Sequence, residues 1–269
     1  MIYFGIVLAA IFLLYILSTY CKKVHPGLSA IQGWAYAHRG LHGQGVPENS
    51  MAAFRRARDA GYGSELDVHL LADGNLAVMH DHKLERTTGA PGVIEDLITT
   101  DLFKYKLEGT NETIPLFSDV LQLYSGAAPL IVELKATGKN IHELCEKTCQ
   151  QLDSYSGAYC VESFDPRCVY WLRKHRPDII RGQLTENFFA SPTSKLPWII
   201  KFIMRHQILN FLTKPDFVAY KYADRKTISN VICRKLWHTP GVSWTLQSKD
   251  EYDTATSEGW IPIFEYFLP

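Results

Sequence analysis

The chain has 269 residues, of which 46% are hydrophobic, and its formal net charge is zero with a pI near 7.1. A neutral chain lacks the broad basic field that recruits nucleic acid, so no nucleic-acid partner is expected and any anion must be recognised locally. The length fits one large domain, because α/β barrels reach about 250 residues without dividing.

The N-terminal segment predicts a membrane anchor. From Ile2 to Tyr20 the sequence has no charged residue, and about 20 apolar residues can cross a bilayer as a helix. A cleaved signal peptide is the alternative, but this segment lacks the basic start and the small-residue cleavage site of such peptides. We therefore expect residues 1–21 to be a transmembrane anchor that attaches the chain to a membrane, and residues 22–32 to be a linker.

Two lysines after this segment predict the side of the membrane. Lys22 and Lys23 follow the apolar run and no basic residue precedes it. Basic residues flank the cytoplasmic end of a span, so residues 33–269 are expected at the cell membrane, facing the cytoplasm. The six cysteines show no zinc-ligand spacing, and the spacing of Cys145 and Cys149 on a predicted helix suits packing better than a disulfide. Free, mostly structural thiols agree with a reducing compartment.

Beyond the linker, short apolar strands alternate with helical patterns, which is typical of a parallel α/β fold. Eight strands are predicted, the number that closes a (β/α)8 barrel. The predicted strands are Ala35–His38, Ser64–Val68, Leu130–Leu134, Tyr159–Ser163, Arg181–Leu184, Phe217–Tyr220, Val242–Thr245 and Ile261–Phe264. The predicted helices are Ser50–Ala60, Leu116–Tyr124, Ile141–Leu152, Pro166–His175, Leu196–Leu212, Thr227–Leu236 and Lys249–Ser257.

One element departs from this alternation. Asp73-Gly74 lies between two apolar runs and is a strong hairpin signal. Folding about this turn should place His80 opposite Asp67, because each is separated from the turn by six residues. Residues 83–114 should then form an insertion before the next helix.

Three carboxylates predict a metal site. Glu65 and Asp67 are two residues apart on one strand, so their side chains share a face, and Glu133 ends the next parallel strand. In a barrel, the ends of the strands carry the functional residues. Carboxylates without a thiolate suit an oxygen-preferring divalent cation, Mg²⁺ or Ca²⁺, rather than zinc.

Two histidines and two cations accompany these carboxylates. His38 ends the first strand and His80 follows the hairpin, and an imidazole titrates near neutrality, so the pair can accept and donate protons. Arg39 offers a planar fork to phosphate, and Lys135 offers a point charge. The combination is suited to metal-assisted cleavage of a phosphodiester.

Other residues near these positions are weaker candidates. Histidines 42, 69 and 82 are equally compatible with solvated or structural positions. Asn49 is compatible with capping the helix near Ser50, with holding Arg39 or with holding the phosphate. Trp244 ends the seventh strand and could form a wall of the substrate site or belong to the barrel core.

These motifs together resemble the glycerophosphodiester phosphodiesterase family, in order and across the whole predicted domain. They are His38-Arg39-Gly40, Pro47-Glu48-Asn49-Ser50, Glu65-x-Asp67-x-His69, Asp73-Gly74, His80-Asp81, Glu133-x-Lys135, Ser163-Phe164 and Trp244-Thr245. The resemblance implies a TIM-type barrel with a small insertion after its second strand. It also implies a divalent metal on Glu65, Asp67 and Glu133, acid–base work by His38 and His80, and phosphate binding by Arg39 and Lys135.

The expected reaction is metal-dependent hydrolysis of a glycerophosphodiester to glycerol 3-phosphate and an alcohol. The same chemistry on a lysophospholipid, that of a lysophospholipase D, is the first alternative, and a non-catalytic protein that binds phospholipid head groups is the second. One departure from the family is that Glu265 stands where many relatives have a Thr-Asp-x-Pro strand end, so Glu265 is expected to do the local job of that aspartate.

The segment Leu196–Leu212 carries more apolar residues than one packed helix face requires. It can be an ordinary barrel helix with a thick core face. Basic residues nearby also permit an interfacial helix that lies on a lipid surface. The sequence leaves both interpretations open.

Overall fold

The computed structural model describes residues 2–21, 25–191 and 194–269. Its strands are β1 (Tyr36–Ala37), β2 (Gly63–Leu70), β3 (Leu76–Val78), β4 (Leu130–Leu134), β5 (Tyr159–Ser163), β6 (Arg181–Thr185), β7 (Phe217–Lys221), β8 (Gly241–Leu246) and β9 (Trp260–Phe264). Its helices are α1 (Ile2–Ser18), α2 (Met51–Asp59), α3 (Glu85–Thr88), α4 (Phe117–Tyr124), α5 (Ile141–Leu152), α6 (Pro166–His175), α7 (Trp198–Arg205), α8 (Asn210–Thr213), α9 (Ile228–Lys235) and α10 (Lys249–Ser257).

Eight parallel strands close into a TIM-type barrel. Their order is β1-β9-β8-β7-β6-β5-β4-β2, and a further pairing of β1 with β2 closes the ring. All described residues of β2, β4, β6 and β9 are buried, as expected for parallel strands that are covered on both faces. The predicted barrel is therefore confirmed, and the strand ends meet at one rim.

Local sequence explains where several barrel helices begin. Ser50 caps α2 by accepting a hydrogen bond from the amide of Ala53, and Ser248 caps α10 in the same way. Asp165 caps α6, whose first residue is a proline, and proline is favoured there because its missing N–H has no intrahelical partner. These caps fix the helices directly after the rim at which the strands end.

The hairpin after β2 forms with a register that differs by one residue from the prediction. Val68 pairs with Val78, and the amide of Met79 donates to the carbonyl of Asp67. Asp67 therefore lies opposite Met79, and the expected pairing with His80 is wrong. The amide of Leu71 donates to Asn75, so the loop has three residues, with a left-handed third residue typical of such loops, instead of two.

The segment after the hairpin forms a small satellite of the barrel with its own core. It contains α3 and two 3₁₀ helices, Ile94–Asp96 and Thr99–Lys104. Its buried apolar residues form one cluster with those of the hairpin. The hairpin contributes Leu71, Ala77 and Met79, and the segment contributes Leu84, Ile94, Leu97, Leu102, Leu107 and Ile114. This packing holds the chain after His80 against the barrel rim.

The end of the N-terminal helix contacts the barrel through hydrogen bonds. The hydroxyl of Tyr15 lies 2.9 Å from His206 Nδ1, and Trp237 Nε1 donates to Thr19 Oγ1 at 3.1 Å. Most of the other side chains of α1 are exposed. Residues Thr19 and Cys21 after it are buried.

The predicted transmembrane anchor over residues 1–21 is not confirmed. Among the described residues, no helix combines the length and the apolar character that crossing a membrane requires. Helix α1 has 17 described residues, Ile2–Ser18. Lys22 and Lys23, on which the cytoplasmic orientation depends, lie outside the described residues, and that orientation stays a prediction.

The predicted helix Leu196–Leu212 is divided into α7 and α8. The division occurs at Gln207, whose φ is 53° and whose side chain is buried, where it accepts a hydrogen bond from Asn210. No residue of α7 is buried, so the interpretation as an ordinary barrel helix with a thick core face is wrong. Its inward side chains line a cavity instead.

Candidate active site

The three predicted metal ligands meet inside the rim of the barrel. Asp67 on β2 lies opposite Glu133 on β4, and Glu65 is two residues earlier on β2. One carboxylate oxygen from each residue lies within 4.8 Å of the other two. All three side chains are buried. The alternation of the strand therefore points Glu65 and Asp67 to the same place, as the spacing predicted.

The electrostatics of this cluster favour a bound cation. Burial and repulsion from Asp67 and Glu133 raise the pKa of Glu65 well above its ordinary value. Burial likewise raises the pKa of Glu133 to about 7. For Asp67, burial alone would raise the pKa, but Lys135, His80 and Arg39 outweigh it and hold the pKa well below the usual range. Buried carboxylates that repel one another gain stability when a cation compensates their charge.

The donor set also fits the group that the family resemblance implied. It consists of carboxylate oxygens, which Mg²⁺ and Ca²⁺ prefer, and the side chains project from rigid strands. Glu162 on β5 lies opposite Glu133 in the register, and its Oε2 has no hydrogen-bond partner among the described residues. The residues present therefore can hold one divalent cation.

The two predicted phosphate-binding residues border the carboxylate cluster. Lys135 Nζ lies 2.9 Å from Asp67 Oδ1 and 2.7 Å from Glu133 Oε1. Arg39 Nη1 lies 2.9 Å from Glu48 Oε1, and its amide donates to Glu65 Oε2 at 3.1 Å. Both cations thus lie beside the cluster, where a phosphate that contacts the metal would also meet positive charge.

His38 is oriented by the carboxylate of Glu265, which follows β9, the strand paired with β1. Its Nδ1 lies 3.0 Å from Glu265 Oε1, and its Nε2 lies 3.9 Å from Glu65 Oε2. An ionised carboxylate only accepts, so the proton of neutral His38 is on Nδ1, and Nε2 is directed toward the metal cluster. His42 Nε2 contacts the same oxygen of Glu265 at 2.9 Å. Although burial opposes it, hydrogen bonding to both histidines holds the pKa of Glu265 well below the ordinary range.

His80 also has its Nδ1 against a carboxylate, that of Asp81. Its Nδ1 lies 2.6 Å from Asp81 Oδ1, and Arg86 donates to the other oxygen of Asp81. Arg86 also donates to Glu48 Oε1 at 2.6 Å, which links α3 to the loop before α2. Burial lowers the pKa of His80 to about 4, assisted by the charge of Lys135.

The weaker candidates have mostly structural contacts. His69 Nδ1 lies 2.6 Å from Glu95 Oε1, and His82 Nδ1 lies 2.6 Å from Glu95 Oε2, so one carboxylate ties both histidines to the satellite. Asn49 Nδ2 donates to Asp67 Oδ2 at 2.7 Å. Asn49 thus orients a predicted metal ligand, whereas Ser50 is the helix cap.

Trp244 lies at the rim of β8, half-buried. Its ring is 5.6 Å from that of Phe164 in an edge-to-face contact, and Phe164 in turn contacts Phe188 at 5.9 Å. Trp244 packs on the aromatic wall of the site and is partly a core residue.

Sequence reasoning missed two charged residues of this site. Arg86 lies in the insertion over residues 83–114, where nothing in the sequence distinguished it from a solvated surface residue. Glu162 stands one residue before Ser163-Phe164 on β5, and burial with the nearby charge of Glu133 raises its pKa well above the ordinary value. Its position at a strand end, as for Glu133, was the available signal.

A cavity of about 720 Å³ opens from these residues. One end is polar and includes His80, Glu133 and Lys135. From there it extends past Phe164 to α7. Its volume is in the range of small-molecule sites, about 300–1,000 Å³.

Comparison with known proteins gives one consistent result. Residues 38–219 match the model of the Glycerophosphoryl diester phosphodiesterase family. A glycerophosphodiester phosphodiesterase of Bacillus altitudinis is 34% identical over 176 residues, which are 61% of this chain and 71% of that protein. One of Caldanaerobacter subterraneus subsp. tengcongensis is 30% identical over 166 residues, which are 58% of this chain and 68% of that protein.

The fold has a solved counterpart. A structure of an Oleispira antarctica phosphodiesterase in complex with the product sn-glycerol-3-phosphate aligns with a TM-score of 0.72 and 21% identity, over 89% of this chain and 94% of the other.

The fold is a TIM barrel whose polar groups cluster where the parallel strands end. The family match extends over more than half of the chain. The chain belongs to the glycerophosphodiester phosphodiesterase family and is a phosphoric diester hydrolase of that kind. The resemblance stated from the sequence motifs is confirmed.

Proposed function

We propose that the enzyme hydrolyses glycerophosphodiesters to glycerol 3-phosphate and an alcohol, with a divalent cation held by Glu65, Asp67 and Glu133. His38 and His80 transfer the protons. The observation that carries this proposal is that both histidines have Nδ1 against a carboxylate, at 3.0 Å for His38 and 2.6 Å for His80. In each ring, Nε2 is then the nitrogen available to the reaction.

The chain supplies the two proton transfers that hydrolysis needs. A water must lose a proton as it attacks phosphorus, and the leaving alkoxide must gain one. One histidine enters the step neutral and accepts the first proton at Nε2. The other enters as an imidazolium and donates its Nε2 proton to the leaving alkoxide, and exchange with solvent restores both rings after each turnover. Arg39 and Lys135 stabilise the charge on the phosphoryl oxygens.

A divalent cation on the carboxylates would polarise the phosphate and neutralise charge in the transition state. Asn49 and Lys135 hold Asp67 in place for that task, at 2.7 Å and 2.9 Å. Glu65 is held by the amide of Arg39.

The test is release of glycerol 3-phosphate from sn-glycero-3-phosphocholine by the full chain, after chelation and with Mg²⁺ or Ca²⁺ added back. Turnover should require the cation, and His38→Ala or His80→Ala should lower kcat by about 10²–10⁴-fold, the usual contribution of a positioned acid or base. His142→Ala is the matched control, since His142 is an exposed residue of α5. Full turnover in the chelated enzyme, or in either variant, would contradict the assignment.

A further inference from the structure

The cavity at the proposed site is much less polar at one end than at the other. Beyond the groups that would meet a phosphate, its walls are formed by apolar side chains: Phe164, Phe188, Ile200, Ile203, Met204 and Leu209. A glycerophosphodiester head group has no apolar part that could occupy this end. Protein interiors are otherwise close-packed, so an apolar space continuous with a polar site indicates a ligand with an apolar part.

Helix α7 forms this end. Its last two residues contact the barrel, where the carbonyls of Met204 and Arg205 accept hydrogen bonds from Thr185 and Tyr220 at 3.0 Å and 3.1 Å. Its sequence is largely apolar, but none of its residues is buried. Ile200 and Ile203 face the cavity, so they lack the neighbours that a barrel helix normally finds on its strands. A ligand in the cavity would bury these side chains.

The outer side of the same helix is also apolar. Trp198 is 71% exposed, and Ile199 and Phe202 are exposed beside it. Phe202 also lines a second apolar groove with Leu8 and Phe12 of α1. Exposed apolar side chains next to the cavity suit a substrate that resides in lipid aggregates.

We propose that the apolar end of the cavity binds the acyl chain of a lysophospholipid, and that the inward side of α7 determines this specificity. The inference rests on the proposed phosphodiesterase function. The phosphodiester lies at the polar end, beside Lys135 and His80, while the acyl chain on the glycerol extends toward Ile200 and Met204. The reaction is the same hydrolysis of the P–O bond to the alcohol, with the acylated glycerol phosphate as product.

The experiment compares kcat/KM of the full chain, with its cation, for sn-glycero-3-phosphocholine and for lysophosphatidylcholines of increasing acyl length below their micelle concentrations. We expect kcat/KM to rise about fourfold per added methylene until the cavity is filled, which corresponds to about 0.8 kcal/mol each. Glycerophosphoalkanols with the same chain on the alcohol side form the second series. A rise in that series alone would overturn the proposal, because the cavity would then bind the leaving group.

Two substitutions on one turn of α7 locate the effect. Ile200→Trp should lower the ratio of kcat/KM for the longest lysophosphatidylcholine to that for sn-glycero-3-phosphocholine by about tenfold, equivalent to the loss of one to two methylenes. Ile199→Trp, on the exposed side and outside the cavity lining, should leave the ratio unchanged. Equal effects of the two variants would overturn the role of the inward face.

A binding measurement separates this inference from the proposed function. Calorimetric titration of the chelated wild-type protein with the same lysophosphatidylcholines should give a Kd that decreases with acyl length. If sn-glycero-3-phosphocholine is cleaved, but neither kcat/KM nor Kd for the lysophosphatidylcholines depends on acyl length, the acyl site is overturned and the phosphodiesterase function stands. If no substrate is cleaved, the proposed function fails, and the calorimetric series alone decides whether the acyl chain is bound.

Discussion

Single residues at the rim act in pairs of a histidine and a carboxylate. Glu265 and His38 are 3.0 Å apart, and Asp81 and His80 are 2.6 Å apart. In this arrangement the carboxylate accepts a hydrogen bond from Nδ1 and leaves Nε2 as the free ring nitrogen, which is the role of the aspartate in serine-hydrolase triads.

Glu265→Gln is expected to lower kcat by about 10²-fold or more while changing KM little. The amide nitrogen of glutamine can donate to Nδ1, which favours the tautomer with the proton on Nε2. Steady-state kinetics on sn-glycero-3-phosphocholine measure the split between kcat and KM. His42→Gln is the control, since it removes the other partner of Glu265 and leaves the contact with His38; a similar loss in both variants would contradict a tautomer effect.

Among the elements, the hairpin β2–β3 connects the barrel to the satellite. Asp73 in its loop lies near the backbone amides of Asn75 and Thr99 and accepts a hydrogen bond from each. Although burial opposes it, the hydrogen bonds from Thr99 and Asn75 together lower the pKa of Asp73 to about 2. The carboxylate is thus favoured in the folded protein.

The stabilisation by Asp73 should depend on pH. Because its folded pKa is lower than its unfolded value of about 3.9, the contribution is present above pH 4 and is lost as the pH falls through about 2. Asp73→Asn should therefore lower the free energy of unfolding at pH 6, and the difference from wild type should shrink toward pH 2. Urea unfolding at several pH values measures it; a constant difference would contradict the assignment.

The ring of Phe217 on β7 occupies the space beside a glycine of β6. Gly182 lies opposite Phe217, and a Cβ at Gly182 would be 2.2 Å from the ring of Phe217. Gly182→Ala should therefore destabilise the barrel by about 1–3 kcal/mol through overpacking.

A double-mutant cycle with Phe217→Leu distinguishes this clash from a general cost of changing β6. In the leucine background, Gly182→Ala should cost less, giving a coupling energy above about 0.5 kcal/mol. Chemical unfolding of the four proteins provides the values. Additive effects would mean that the ring does not cause the loss.

At the scale of the whole molecule, a metal on the three carboxylates should raise stability. A ligand that binds only the folded state at 100 times its Kd adds about 2.7 kcal/mol. For a protein of this size the corresponding rise in Tm is roughly 5–10 °C. Thermal unfolding in chelator and in Mg²⁺ or Ca²⁺ measures it.

The matched variants for this measurement are Glu65→Gln and Glu146→Gln. Glu65 is one of the proposed ligands, and its variant should lose the rise in Tm. Glu146 is an exposed residue of α5, and its variant should keep it. A rise that persists in Glu65→Gln would place the ion elsewhere.

The sequence was sufficient for the barrel and for the identity of the rim residues. Strand ends in a parallel barrel converge, so Glu65, Asp67 and Glu133 could be placed together from strand positions alone. The elements β4, α5 and α6 have the predicted bounds. These bounds could be predicted because the alternation of apolar residues and the helix-capping residues are local features of the sequence.

What the sequence did not reveal depends on geometry between distant segments. The contact of Glu265 with His38 joins residues 227 positions apart. It exists because the barrel closes by pairing β9 with β1. The register at His80 depended on a loop of three residues that the Asp73-Gly74 pattern does not distinguish from a loop of two. At the division between α7 and α8, the buried side chain of Gln207 also contacts Cys233 Sγ at 3.7 Å, 26 positions away, which no local pattern shows.

The closure of β1 on β9 has a further consequence for how such an enzyme can change. The proposed chemistry belongs to one arc of the ring, β9-β1-β2-β4, because Glu265 follows β9 and His38 follows β1. The apolar wall belongs to the other arc, after β5 and β6, with Phe164, Phe188 and α7. Exchange of the segment 163–212 between relatives would therefore transfer substrate preference while the reacting groups stay in place, and a chimera of two such enzymes would inherit its rate from one parent and its choice of substrate from the other.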